Sequence, residues 1–328
     1  MYKIIDLHND WADNSLILSH KNFFVENWIN EWRNYYWLNV NNQVDLPRLQ
    51  KWNVKLVFGA SCLMPNEINQ DINIRRYLIK QQLDYYDYIL KNSNWKIFAI
   101  KNKNDLDKVN LDENIWLIKH MEWFYFIDQE SDLKILNYYY QRWVRSIALT
   151  WNFDNCLAWW AWWNWNLTKI WKKVIDYIEN NNIILDLAHI WKKSFWEIAN
   201  YTKLPLFISH TQVNCLIQNN RNIDDEQIKA IAKSWWLIWL MPHPKYLWSN
   251  KLDDFLKSIK YVYDLVWINY IAIWSDFDWT TSNDLINEFQ QSSDFQILAD
   301  KMIEYWFTVS EIEKILYTNA FEFIKKIL

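Results

Sequence analysis

A single glycine, Gly59, stands in 328 residues that carry 26 tryptophans. Ordinary usage near 7% would place about 23 glycines in such a length. Glycine serves where φ must be positive or where backbone must approach backbone closely. The tryptophans occupy glycine-like places: pairs at 159–160, 162–163 and 235–236, and both ends of the run Trp274-Ser275-Asp276-Phe277-Asp278-Trp279. Each indole brings about 150–250 Å² of surface to such a position. Overpacking at about 1–3 kcal/mol per site, repeated over roughly twenty sites, exceeds the ~5–15 kcal/mol by which a native chain is stable. We therefore expect most of these tryptophans to be UGA codons that the source organism reads as glycine. A composition rich in Asn, Lys, Ile and Tyr fits an AT-rich gene. Trp196, in the helical pattern Lys192 to Ile198 with no turn signal, is expected to be a true indole, and Trp95 stays open.

The remaining bounds are simple. The length fits one large domain, and without a linker, internal repeat or composition break we read residues 1–328 as a single domain. A formal charge of -4, a pI near 5.9 and interspersed charges give no basic patch, which argues against nucleic acid and anionic membrane as partners. No apolar run approaches the ~20 residues of a membrane span, and Met1 leads directly into a strand-like run, so a cytoplasmic protein is expected. Cys62, Cys156 and Cys215 are odd in number and widely spaced, and read as reduced, mostly buried thiols.

With tryptophan taken as glycine punctuation, strands and helices alternate. Strands are expected at 3–8, 54–60, 115–120, 143–150, 183–188, 205–209, 236–240 and 269–274, with a minor one at 96–100. Helices are expected near 47–52, 67–92, 104–108, 129–140, 168–181, 191–200, 224–233 and 251–266, and three more at 294–305, 309–316 and 318–327 close the chain. Eight strands with helices between them indicate an α/β fold of the (β/α)8 TIM barrel type.

Five of these strands end on metal-competent side chains. The first ends in His8 and Asp10, which strand periodicity places on one side; later runs stop at Glu122, His189, His210 and Asp276. In a parallel sheet the carboxyl ends of the strands share one face, so these residues can meet there although they are far apart in sequence. Such a set suits a divalent metal site with two metals. His20, on an expected helix, and His243, between two prolines, lack this placement, and His120 is read as a core residue rather than a donor to the ligands.

The motifs together resemble the membrane dipeptidase (renal dipeptidase) family of zinc metallopeptidases over essentially the whole chain. They are DLHND at 6–10, MEW at 121–123, LTWN at 149–152, DLAH at 186–189, SHT at 209–211, RN at 221–222, KSWWLIWL at 233–240 and IWSDFDW at 273–279. Glycine at Trp123, Trp235, Trp236, Trp239, Trp274 and Trp279 improves each match that contains one of them.

The resemblance implies two Zn2+ ions, other divalent metals being open. His8 and Asp10 would hold one, His189 and His210 the other, and Glu122 would bridge both. A water shared between metals about 3.5–4 Å apart would act as a bridging hydroxide. Asp276 matches the acid that passes a proton to the leaving amine; Asp278 is the adjacent alternative, but period two with the eighth strand makes Asp276 the better placed. Arg221 matches the receiver of the substrate's terminal carboxylate, a task suited to a planar guanidinium. Trp151 stands where many members carry a substrate-contacting His, although some bacterial relatives also read L-T-W-N. The implied activity is hydrolysis of a small dipeptide to free amino acids, with a homodimer left open. The rival readings are another amidohydrolase acting on a cyclic amide, ester or deaminable ring, and a metal-binding barrel without activity.

Overall fold

Aliphatic runs whose residues are buried on both faces become parallel strands, the pattern expected when helices cover a sheet. The computed structural model describes residues 1–13, 15–16, 21–27, 42–109, 113–152, 155–157, 167–234, 237–278 and 285–328. His20, together with the tryptophans at 159, 160, 162, 163, 235, 236 and 279, lies outside the described residues. Nine strands are present among them: β1 (Ile4–Asn9), β2 (Val54–Ser61), β3 (Ile97–Ala99), β4 (Ile115–Met121), β5 (Val144–Ala148), β6 (Ile184–Asp186), β7 (Ile208–Thr211), β8 (Ile238–Leu240) and β9 (Ile271–Ile273). Every pairing between them is parallel.

The ring expected from the sequence is present in the order β1-β2-β4-β5-β6 and β7-β8-β9, with β3 outside it. β3 pairs with the amino-terminal half of β4 at Ile115 to Leu117, and β5 takes the carboxyl half from Lys119 to Met121. Two seams interrupt the ladder. Between β6 and β7, Leu187 N donates to Phe207 O at 2.8 Å; between β9 and β1, Asp10 N donates to Phe277 O at 3.1 Å beside the bridge of Asn9 with Phe277.

A buried aspartate crosses each seam. Asp186 Oδ1 accepts from Ala188 N and from Ser209 N, both at 2.9 Å. Asp6 accepts from Ser275 N at 3.3 Å, from Ser275 Oγ at 2.8 Å and from Asn9 Nδ2 at 2.6 Å. Burial pushes both carboxyls up to about 6, against hydrogen bonds that pull the other way.

Helix starts follow capping chemistry more closely than apolar spacing. The helix expected at 67–92 begins at Ile72 because Asp71 accepts from Asn73 N, and Asp224 with Gln227 forms a capping box ahead of Asp225–Lys233. Several boundaries differ from expectation. The 129–140 helix opens with a 3-10 turn, Glu130–Lys134, before Ile135–Gln141. The strand at 205–209 runs instead from Ile208 to Thr211, which puts His210 inside it. The strand at 269–274 shortens to β9 because Ile268–Tyr270 is a 3-10 turn. The helices at 309–316 and 318–327 fuse into one run through a π turn at Lys314–Thr318. Cys62 is buried as expected, whereas Cys156 is half-buried and Cys215 exposed.

Gly59, on β2, is a true close approach: a Cβ there would lie 2.5 Å from Tyr86 Cε1 and 2.8 Å from Leu117 Cδ1. Among the described residues no helix is long and apolar enough to cross a membrane.

The seams give a stability test. Asp186→Ala leaves two buried amides without their acceptor, at about 1–3 kcal/mol each. We expect a loss of about 2–4 kcal/mol in urea denaturation with an unchanged m-value. Asp186→Asn, which keeps an acceptor oxygen, should lose less.

Candidate metal centre

β1 and β4 deliver one half of the site. His8 Nε2 lies 3.1 Å from Asp10 Oδ2 and 3.4 Å from Glu122 Oε2. β6 and β7 deliver the other: His189 and His210 turn their Nε2 atoms to each other at 2.5 Å. The two groups, His8 with Asp10 and Glu122, and Glu122 with His189 and His210, each have ligand atoms within 4.8 Å of one another and share Glu122. All five residues are buried. His189 reaches its position with φ 63, and Asp276 and Asp278 have φ 60 and 73, so the rim bends back on itself where these side chains converge.

Each facing imidazole has its other nitrogen occupied. His189 Nδ1 donates to Asn152 Oδ1 at 3.0 Å, which leaves a lone pair on its Nε2, and His210 Nδ1 is hydrogen-bonded to Ser209 Oγ at 2.7 Å. With Ser209 Oγ as the acceptor, both Nε2 atoms present lone pairs. Burial holds both rings well below the ordinary imidazole range, which keeps them neutral. Burial also pushes Asp10 up to about 7 and raises Asp276. Two lone pairs face to face beside buried carboxylates repel unless a cation lies among them. Imidazole nitrogen with carboxylate oxygen is a donor set that zinc accepts, and the shared carboxylate fits a pair of ions.

The two aspartates of the Ser275 to Asp278 run have different surroundings. Asp276 Oδ1 lies 4.0 Å from His8 Nε2 and accepts from Trp274 Nε1 at 2.9 Å. Asp278 is drawn away by an ion pair with Lys21 and by the amides of Gln43, at 2.8 Å, and Val44. Strand periodicity is not what separates them, since β9 ends before either.

Arg221 is buried beside this half, where its Nη2 donates to His210 O at 3.2 Å and its Nε has no partner among the described residues. A cavity of about 200 Å³ touches Arg221 and His189, but none of His8, Asp10, Glu122 and Asp276 lines it. Trp151 stacks on Trp123 with centroids 3.8 Å apart. His120 sits in the barrel interior, bonded through Nδ1 to Ser146 Oγ at 2.8 Å and edge-on to the His8 ring. His243 caps a short helix by accepting from Lys245 N.

Asn152, Ser209, Asp6 and Asp186 escape a reading confined to ligands, although all four lie inside motifs that the sequence displays. For Asp6, Asp186 and Ser209 the available signal was a polar residue in an apolar run next to, or two or three positions before, a candidate histidine; Asn152, 37 positions from His189, had none beyond its place in LTWN.

Comparison with known proteins bears on the family and the fold. The family model described as membrane dipeptidase (peptidase family M19) matches residues 1–327. An uncharacterized dipeptidase of Schizosaccharomyces pombe is 22% identical over 307 residues, covering 84% of this chain and 69% of that protein. An uncharacterized protein of Klebsiella pneumoniae is 23% identical over 251 residues, covering 69% and 92%. Among solved structures, the M19 metallopeptidase named dipeptidase AC superposes with a TM-score of 0.87 at 16% identity, covering 99% of this chain and 98% of that one. A Rhodobacter sphaeroides metallopeptidase, liganded with a phosphinate mimic of the dipeptide L-Ala-D-Ala, gives 0.86 at 15% identity, covering 100% and 99%.

Hydrogen bonds to the far nitrogen of a ligand histidine fix its tautomer, and their loss costs about 10–100-fold in metal affinity. Asn152→Leu and Ser209→Ala should each weaken metal binding by about that factor, read by competition with a chromogenic chelator. Asn152→Asp, which keeps the acceptor, should bind close to the parent.

Proposed function

The chain belongs to the membrane dipeptidase family of metallopeptidases, and we propose that it hydrolyses dipeptides to free amino acids with two zinc ions held by His8, Asp10, Glu122, His189 and His210. The observation that carries this reading is the pair of donor groups joined through Glu122. When bound, the ions supply Lewis acidity to the scissile carbonyl and lower the pKa of a shared water. The protein's own residues do the rest. Glu122 offers one carboxylate to both halves, which fixes their separation. Asn152 and Ser209 hold the lone pairs of His189 and His210 in the productive direction. Asp276, next to His8 at the rim, carries a proton to the departing amine. Lys21 and the Gln43 amide keep Asp278 out of that role.

Arg221 receives the terminal carboxylate. Its Nε has no partner among the described residues and it is buried, so a substrate carboxylate would supply the charge that burial otherwise denies it. Tyr246 lies under the guanidinium, with Cζ 5.8 Å from the ring centroid. Trp151, which precedes Asn152 and stacks on Trp123, is the candidate substrate contact. A carboxylate receiver separates this reading from hydrolysis of cyclic amides or esters, which would leave Arg221 unused.

The test is discrimination between a dipeptide and its C-terminal amide in protein isolated from the source organism and in its Arg221→Ala variant. Loss of a buried charge-paired hydrogen bond costs about 2–5 kcal/mol, so kcat/KM for the free acid should fall by about two orders of magnitude while the amide changes little. A variant that still prefers the free acid as strongly as the parent refutes the role of Arg221. Glu122→Gln and Asp276→Asn should abolish most turnover at unchanged stability. Chelation should remove activity and zinc restore it; activity indifferent to chelators rejects the metallopeptidase mechanism.

A further inference from the structure

Among the described residues five tryptophans have positive φ, four directly at helix ends and Trp95 just beyond one, after the left-handed Asn94. Trp95 follows the helix Ile72–Asn92 with φ 64, Trp143 follows Ile135–Gln141 with φ 65, and Trp306 follows Phe295–Glu304 with φ 65. Trp248 closes the turn Pro244–Leu247 at φ 49, and Trp267 closes Leu252–Val266 at φ 74 and ψ 164. The first four conformations are those of a glycine that ends a helix. The fifth belongs to a region that essentially only glycine enters. Every other described residue with positive φ is Asn, Asp or His, the types that tolerate it. Four of the five rings project into solvent, at 72–88% exposure, so packing does not offset the backbone cost. A left-handed L-residue costs about 1–2 kcal/mol.

Other indoles press on the metal centre. Trp274 stacks on His8 with centroids 4.2 Å apart, lies 5.0 Å from the His210 ring and occupies Asp276 with its Nε1. Trp123, directly after Glu122, stacks on Trp151. Nothing in the chemistry of a hydrolytic metal site calls for an indole against a ligand ring, where the substrate must enter. The 200 Å³ cavity at Arg221 is smaller than the ~300–1,000 Å³ of small-molecule sites and does not extend to His8 or Asp276. Elsewhere the buried indole nitrogens of Trp11, Trp116, Trp191 and Trp239 have no acceptor among the described residues. Trp196 provides the contrast: on the helix Lys192–Ala199 it packs edge-on against Phe195, with ordinary backbone.

We propose that the natural protein carries glycine at Trp95, Trp143, Trp248, Trp267 and Trp306, and also at Trp123 and Trp274, and that the space those last two indoles fill is its substrate site. The position next to His8 and Asp276 takes the reacting amide, and the space beside Trp151 takes a substrate side chain. Only the identity of the occupant as a dipeptide rests on the function proposed above. Removing the two indoles would open space against the rings of His8, His210 and Trp151 and free Asp276 from the indole nitrogen.

The experiment has two arms. In the source organism, the gene and peptide mass spectrometry of the isolated protein should give UGA codons and glycine masses at these seven positions; UGG codons and indole masses overturn the proposal outright. In a standard host, full-length chains from synthetic genes are compared: one as written, one with glycine at the five helix ends, and one with Trp123→Gly and Trp274→Gly added. The five-glycine chain should have a higher urea midpoint than the chain as written, and an equal or lower midpoint counts against the helix-end assignment. With cobalt loaded, acetohydroxamate, a small metal-seeking probe, should bind the seven-glycine chain about tenfold or more tighter than the five-glycine chain, and equal affinity refutes the cavity. If acetohydroxamate gains that affinity while a phosphinate dipeptide fails to bind, the cavity stands and the dipeptidase reading falls.

Discussion

Two buried carboxylates carry the barrel across the places where its backbone ladder lapses. At each seam a single described backbone hydrogen bond joins the sheets, and Asp6 or Asp186 supplies further cross-links from a side chain. A carboxylate can accept several amides at once where a strand edge has lost register. The cost is burial of a group that prefers water, and it is partly offset by those hydrogen bonds. Both aspartates stand just ahead of a candidate ligand: Asp6 two residues before His8, Asp186 three before His189. Closing the ring and aiming the ligands are thus one act. A displaced seam would move half of the donor set relative to the other half.

The rim above the seams is where the chain departs from regular backbone. His189, Asp276 and Asp278 all take positive φ, and each follows a strand of only three residues. Short strands leave early, and a left-handed residue turns the chain so that side chains after β6 and β9 face those delivered by β1, β4 and β7. The same backbone sign has another meaning at the helix ends, where four of the five rings project into solvent. Functional strain belongs to His and Asp, which tolerate the conformation and gain a role from it, whereas an exposed indole gains nothing.

Charge placement divides labour among acidic residues that look equivalent. Asp10 and Glu122 are buried beside imidazoles and, among the described residues, no lysine or arginine is ion-paired to them, the arrangement a metal ion would neutralise. Asp278, two residues from Asp276, is instead neutralised by the buried Lys21 and spends its oxygens on the amides of Gln43 and Val44. That contact ties the segment after β1 to the loop after β9 and supports the site from behind. Asp276 instead stays beside His8, with Oδ1 4.0 Å from its Nε2.

The sequence by itself determined the alternation of strands and helices, the placement of His8, Asp10, Glu122, His189, His210 and Asp276 at or near the carboxyl ends of strands, and the glycine deficit. These are local properties: burial periodicity, turn chemistry and composition act within a few residues. Tertiary structure alone decided that the ring has two seams clasped by Asp6 and Asp186, and that Asn152 and Ser209 orient the two facing histidines. It also withdrew Asp278 and set His120 edge-on to His8. Each of these is a contact between segments brought together by ring closure, or, for Ser209, a rotamer chosen by its surroundings. Which partner a polar side chain finds depends on register, strand length and the local sign of φ, none of which hydrophobic spacing encodes. The strand that holds His210 illustrates the limit, since spacing ended it before the histidine while pairing with β8 carried it through Thr211.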